Sequence, residues 1–265
     1  MTKFLQSNYK WWYVFIYFIK RRTTYRIDNL LFALGQCLVV LGPILIWYLA
    51  IGQINLDFKD KLTYLLVGNL FLCFIYQWPS FFGFEISSGA HTRILITPVN
   101  FFKFLFFRFY GYAILQNLTQ LIIIIISIFF LHSWILPPSS VLNLILVGLL
   151  ALISVFILFF LELLVGLLAF FLTEINGVIL NYGYINNLLS GRLFPLGLLI
   201  PYFWANALNP FSYLFYHPMQ IYLGKYSSDQ IFAVFGCGLL WIFILYILAK
   251  IIFKLGLKKN ESVGL

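Results

Sequence analysis

The sequence predicts an all-α integral membrane fold, and three observations carry that reading. Hydrophobic residues make up 63% of the chain and charged ones only 9%, against about 25% charged in an average soluble domain. The apolar residues come in long continuous runs, not in polar/apolar alternation, which selects helices over a barrel. The charges stand beside the runs instead of inside them. Lys3, Lys10, Lys20, Arg21, Arg22 and Arg26 precede the first run, and Lys250, Lys254, Lys258 and Lys259 follow the last. A net charge of +9 so placed serves membrane topology, and no recognition motif for nucleic acid accompanies it.

The elements follow in order. Residues 9–22, "YKWWYVFIYFIKRR", are too few to span. Their tryptophans and tyrosines suit the headgroup layer and their basic ends suit anionic lipid. Residues 1–27 are thus expected to hold a helix lying on the cytoplasmic surface, or else an amphipathic helix packed on a partner. Six spans are expected at about 29–54, 62–84, 105–131, 141–172, from about 175, and 231–253. Each is close to the ~20 residues that cross the hydrocarbon core. With the N-terminus inside, thirteen Lys and Arg face the cytoplasm (the ten above plus Arg93, Lys103 and Arg108), and four face out: Lys59, Lys61, Arg192 and Lys225. That asymmetry places both termini inside.

Residues 85–104 form the longest inner loop. It starts polar and then offers the apolar patch Ile94, Leu95 and Ile96, closed by Pro98. A short projecting helix fits, and so exposed an apolar patch implies a soluble partner.

Charges within spans are expensive and therefore informative. Glu162 is the one acid deep in a span, and Arg108 stands about one turn inside the third. In the cytoplasmic half the two could pair, as a gating bridge or a static structural one, or else stand apart as a snorkelling arginine and a protonated glutamate. The fifth span, "INGVILNYGYINNLLS", is unusually polar. Asn176, Gly183, Asn187 and Ser190 share one helical face, with Tyr184 alongside, a candidate pathway or a helix-packing face. Residues 191–228 are too apolar for an outer loop and too broken for a span. Gly191, Pro195, Pro210 and Pro218 interrupt them. A re-entrant hairpin in the outer leaflet satisfies both facts. Arg192 is expected near the outer interface, capping turn carbonyls or meeting lipid phosphate.

The motifs of catalysis are missing. There is no G-x-x-x-x-G-K-[ST], H-E-x-x-H or G-x-S-x-G. Cys37, Cys73 and Cys237 lie in apolar runs, and His91, His132 and His217 are scattered. No catalytic or metal site is expected. "NLT" at 117–119 falls within a span and is discounted as a glycosylation acceptor.

The order of elements resembles a type-two ABC-transporter permease. "LLSGRLFPL" (188–196), "NPFSYLFYHPMQIYLGK" (209–225) and, less closely, the tail "GLKKNESVGL" (256–265) resemble the signature stretches of a bacterial subfamily of export permeases often encoded as pairs. The resemblance implies that residues 1–265 are one transmembrane domain in the bacterial cytoplasmic membrane. It implies a second permease chain, like or related, and separate ABC ATPase subunits that hold the ATP and Mg. It also makes the 86–98 loop the coupling helix. Two other readings stay open: a non-transporting scaffold or mechanotransmitter driven by an ATPase, and a membrane-embedded lipid-modifying enzyme using Glu162.

Overall fold

The computed structural model describes residues 10–23, 58–96 and 100–262, with positions 35, 38, 42 and 45 between the first two blocks. The expected first span, 29–54, otherwise lies outside the described residues, as does Pro98. The described residues are helical, with no strand among them.

Helix α1 (Lys10–Thr23) does more than float on a surface. Its aromatic side packs on the first three turns of α5 (Phe101–Leu131), through Trp11 on Phe107, Phe15 on Tyr110 and Phe18 on Tyr112. Trp12, Tyr13 and Tyr17 remain more than half exposed. Asn100 starts α5 by accepting the Lys103 N–H at 3.1 Å, which satisfies one of the first free donors.

The second span is broken. Helix α2 (Phe58–Ile75) ends at Tyr76, and a 3-10 turn, Pro79–Phe81, leads into α3 (Phe82–Ser87). The two halves are bent by 46°. Pro79 explains the break: its ring drives Trp78 out of the helical region, to φ −127 and ψ 64. Gln77 crosses the gap and donates to the Val155 carbonyl at 3.0 Å. A turn of α4 (Thr92–Leu95) follows before α5.

Helix α6 (Val141–Leu167) is the centre of the core, with its inner half buried. Ser140 caps it, accepting from the Asn143 N–H at 3.0 Å. A 3-10 turn, Leu168–Phe170, extends it. Gly83 and Gly166 let α3 and α6 touch backbone to backbone: a Cβ on Gly83 would stand 3.1 Å from the Gly166 carbonyl oxygen. This is the close approach that small residues permit between membrane helices. Helix α11 (Ser228–Ser262) packs along α6.

Helix α7 (Asn176–Leu189) has only 14 residues, roughly 21 Å, short of the ~30 Å hydrocarbon core. Four short segments follow it: α8 (Leu196–Leu199), α9 (Phe203–Ala207), a 3-10 turn at Pro210–Leu214, and α10 (Tyr216–Tyr222).

Among the described residues, two helices are long and apolar enough to cross a membrane, Val141–Phe170 and Ser228–Lys259, and a third if the bent pair counts as one. The stretch expected as a span at 62–84 is a bent pair broken at Pro79, and the stretch from 175 is a 14-residue helix closed by Gly191 at φ +82.

The two ends of the molecule differ. At one, Lys225 pairs with Asp60 at 2.6 Å, the Leu136 N–H meets Thr63 Oγ1, and Ser139 N–H donates to Tyr222. The other gathers α3, α4, the start of α5, and the end of α11, with Arg93, Lys103, Lys258 and Lys259. Basic residues thus stand at both ends of the described helical body.

Candidate functional site

At the basic end, Gly89 turns the chain at φ +73 and α4 begins. His91 is buried, its ring edge-on to Phe170 at 5.4 Å. The three expected anchors separate. Ile94 turns partly into the core, Leu95 is 37% exposed, and Ile96 is 82% exposed.

The Arg108–Glu162 pair is not formed. Arg108 makes a two-pronged ion pair with Glu85: Nη1 donates to Oε2 at 2.8 Å and Nη2 to Oε1. Its guanidinium lies 5.4 Å from the Phe18 ring and 5.3 Å from that of Phe109. The bend at Pro79 swings α3, and Glu85 with it, against α5. Glu162 is buried and takes its hydrogen bonds from the Ser80 side chain and backbone. Its Oε2 has no partner among the described residues.

Arg192 is also corrected. It turns inward and Nη2 donates to Asn69 Oδ1 at 2.9 Å. Asn69 stands eleven residues past Phe58, roughly 16 Å along the helix axis and so well away from the Asp60 end. The turn carbonyl of Gly191 is taken by the Tyr64 hydroxyl instead, at 2.7 Å. Arg192, Tyr76, Asn186, Asn187 and Ser190 border a cavity of about 10 Å³, the room of about one water.

A helix can stop here because its last carbonyls are answered. Ser190 N–H donates to Asn186, Gly191 N–H to Leu188, Leu193 N–H to Asn187, and the Asn209 side chain to Leu189 at 2.8 Å. Where water is scarce such groups need protein partners.

The polar face of α7 divides along its length. Ser190 is buried and Asn187 half-buried beside Arg192. Gly183 faces open space, Tyr184 is 72% exposed, and Asn176 accepts no burial, donating to Glu174 at 3.1 Å. In the following segment, Pro195 precedes α8, Pro210 opens the 3-10 turn behind the Asn209 cap, and Pro218 is buried in α10. His217 is fully buried there. Its Nδ1 lies 2.8 Å from the Tyr226 hydroxyl and Nε2 lies 3.1 Å from the Asn206 carbonyl. A carbonyl can only accept, so Nε2 carries the hydrogen and Nδ1 accepts from tyrosine.

Sequence reasoning missed Glu85, Asn69, Ser80 and Asn209 as partners. Asn69 carried a usable signal: a lone amide in "LLVGNLFLCF" needs a partner as much as the amides of α7 do.

No curated protein and no solved structure matches the chain. A family model described as ABC-2 family transporter protein matches residues 58–264, more than three quarters of its length. The chain is therefore a multi-pass membrane protein of the ABC-2 transporter family.

Proposed function

We propose that the chain is the permease subunit of an ATP-driven ABC exporter. It works as a dimer with a like or related permease, above separate ATPase subunits that supply ATP and Mg. The body makes six passes of the bacterial cytoplasmic membrane with both termini inside. The fifth pass is α7 completed by the short segments of 191–228, which act as an outer re-entrant hairpin. Residues 86–98 are the coupling element. The observation that carries this is Ile96, 82% exposed beside Leu95 on a one-turn helix at the basic end. A large aliphatic side chain so exposed, in a chain without a phosphate-binding loop of its own, fits a groove on an ATPase. The open face of α7, with Leu180, Tyr184 and Leu188 exposed, suits the second permease, and Asn176, Gly183 and Asn187 would then edge the substrate path.

The test reconstitutes the chain with the ATPase. Leu95→Asp and Ile96→Asp should each leave the permease folded and cut transport at least about tenfold while ATP hydrolysis persists. Unchanged transport and unchanged ATPase association in both variants would overturn the coupling assignment.

A further inference from the structure

A cavity of about 540 Å³ opens at the basic end, between α1, the bend of the second span and α5. Its size falls in the range of small-molecule sites. Among the described residues Arg21 and Arg108 line it with Glu85 as the one carboxylate, and Trp78, Phe81 and Tyr112 form much of its wall. Both Nη atoms of Arg108 are engaged by Glu85, but its Nε–H is shielded from solvent and has no partner among the described residues. Two guanidiniums against one carboxylate leave one positive charge over. The bare α1 aromatics Trp12, Tyr13 and Tyr17 mark headgroup depth on the same side.

We infer that this cavity binds one anionic phospholipid of the inner leaflet. The phosphate sits between Arg21 and Arg108, and the glycerol and upper acyl carbons lie on Trp78 and Phe81. A guanidinium recognises phosphate through charge-assisted hydrogen bonds. The surplus charge disfavours a headgroup that carries its own cation. Such a lipid ties α1 to the broken second span, the two elements that flank the coupling loop.

The experiment uses the purified chain alone in detergent, with bound lipid counted by native mass spectrometry. Palmitoyl-oleoyl phosphatidylglycerol and phosphatidylcholine are titrated separately. The glycerol lipid should bind about tenfold more tightly, each basic group near a surface contributing about a kcal/mol. Arg21→Gln, at an exposed position, should reduce that preference by about fivefold. The paired change Glu85→Gln with Arg108→Gln keeps a neutral hydrogen-bonding pair and the Arg21 charge, and should reduce the preference by about twofold, while Arg21→Gln added to it should abolish the preference. Glycerol 3-phosphate at millimolar concentration should not displace the lipid. Equal binding of the two lipids, or an undiminished preference in Arg21→Gln and the paired variant, would overturn the inference. Displacement by glycerol 3-phosphate alone would overturn it too, in favour of a soluble phosphate. Neither ATPase nor transport enters the measurement, so its failure leaves the permease reading standing.

Discussion

Arg108 and Arg192 are both turned into the protein, yet they are held in different ways. Arg108 has a full carboxylate, Glu85, in two-pronged contact, with aromatic rings beside its guanidinium. Arg192 has a neutral amide, Asn69, through a single bond of 2.9 Å. The first lies near the basic end, where the chain bends and a carboxylate on a short helix can reach it. The second lies beside the middle of α2, among Tyr76, Asn186 and Asn187. A charge close to the headgroups can be neutralised by an acid that is itself partly solvated. A charge deeper in is surrounded by dipoles, since a second buried ion would bring its own desolvation cost.

That comparison can be broken most severely at the ion pair. Glu85→Gln leaves Arg108 without its counter-charge; because the Glu85 side chain is 26% exposed, the cost should be about 2–4 kcal/mol, at or below that of a fully buried pair. Thermal unfolding in detergent should show a large drop for Glu85→Gln, and the added change Arg108→Gln should recover most of it. An equal drop in the single and paired variants would mean that packing, not charge, holds α3 to α5.

A smaller loss is expected at Asn69. Asn69→Leu strips Arg192 of its acceptor, at a cost of about 1–3 kcal/mol. Asn69→Asp sharpens the contrast by giving Arg192 the kind of partner Arg108 has, and it should lose less than leucine does. If aspartate is as damaging as leucine, the Asn69 amide matters chiefly for its 2.7 Å bond to the Leu65 carbonyl.

His217 shows a third solution, in which a buried ring is met on both nitrogens by uncharged partners, the Tyr226 hydroxyl at 2.8 Å and the Asn206 carbonyl at 3.1 Å. Tyr226→Phe takes the hydroxyl from Nδ1 and should cost about 1 kcal/mol, read as a small drop in melting temperature. An unchanged melting temperature would show that the ring is held by packing alone.

Much of the scaffold was legible because length and apolarity act locally. The fourth and sixth spans were recognisable as runs, and helices Val141–Leu167 and Ser228–Ser262 occupy them. The break at Pro79 was also written locally, in "QWPSFF", but a hydropathy reading passes over a proline in an apolar run. Partners were not legible. Arg108 could have met Glu162 or Glu85 on charge grounds alone, and only the bend decides. Asn69 and Arg192 lie 123 positions apart, and no periodicity links them. The coupling patch was half legible: its hydrophobicity shows in sequence, while the inward turn of Ile94 depends on how α4 seats against the core.

The early end of α7 also has an electrical consequence. Aligned peptide dipoles place about half a negative charge at a helix C-terminus. In α7 that end falls at Leu189–Ser190, directly before Arg192. The guanidinium and the helix end thus compensate each other within one turn of chain. In the proposed arrangement they form a polar centre partway through the voltage drop that an energised membrane imposes. A unit charge crossing the whole drop exchanges about 2.3 kcal/mol per 100 mV. Any motion that carries Arg192 from Asn69 toward the Asp60 end would exchange a fraction of that energy with the field, whereas Arg108, near the edge of the drop, would exchange little.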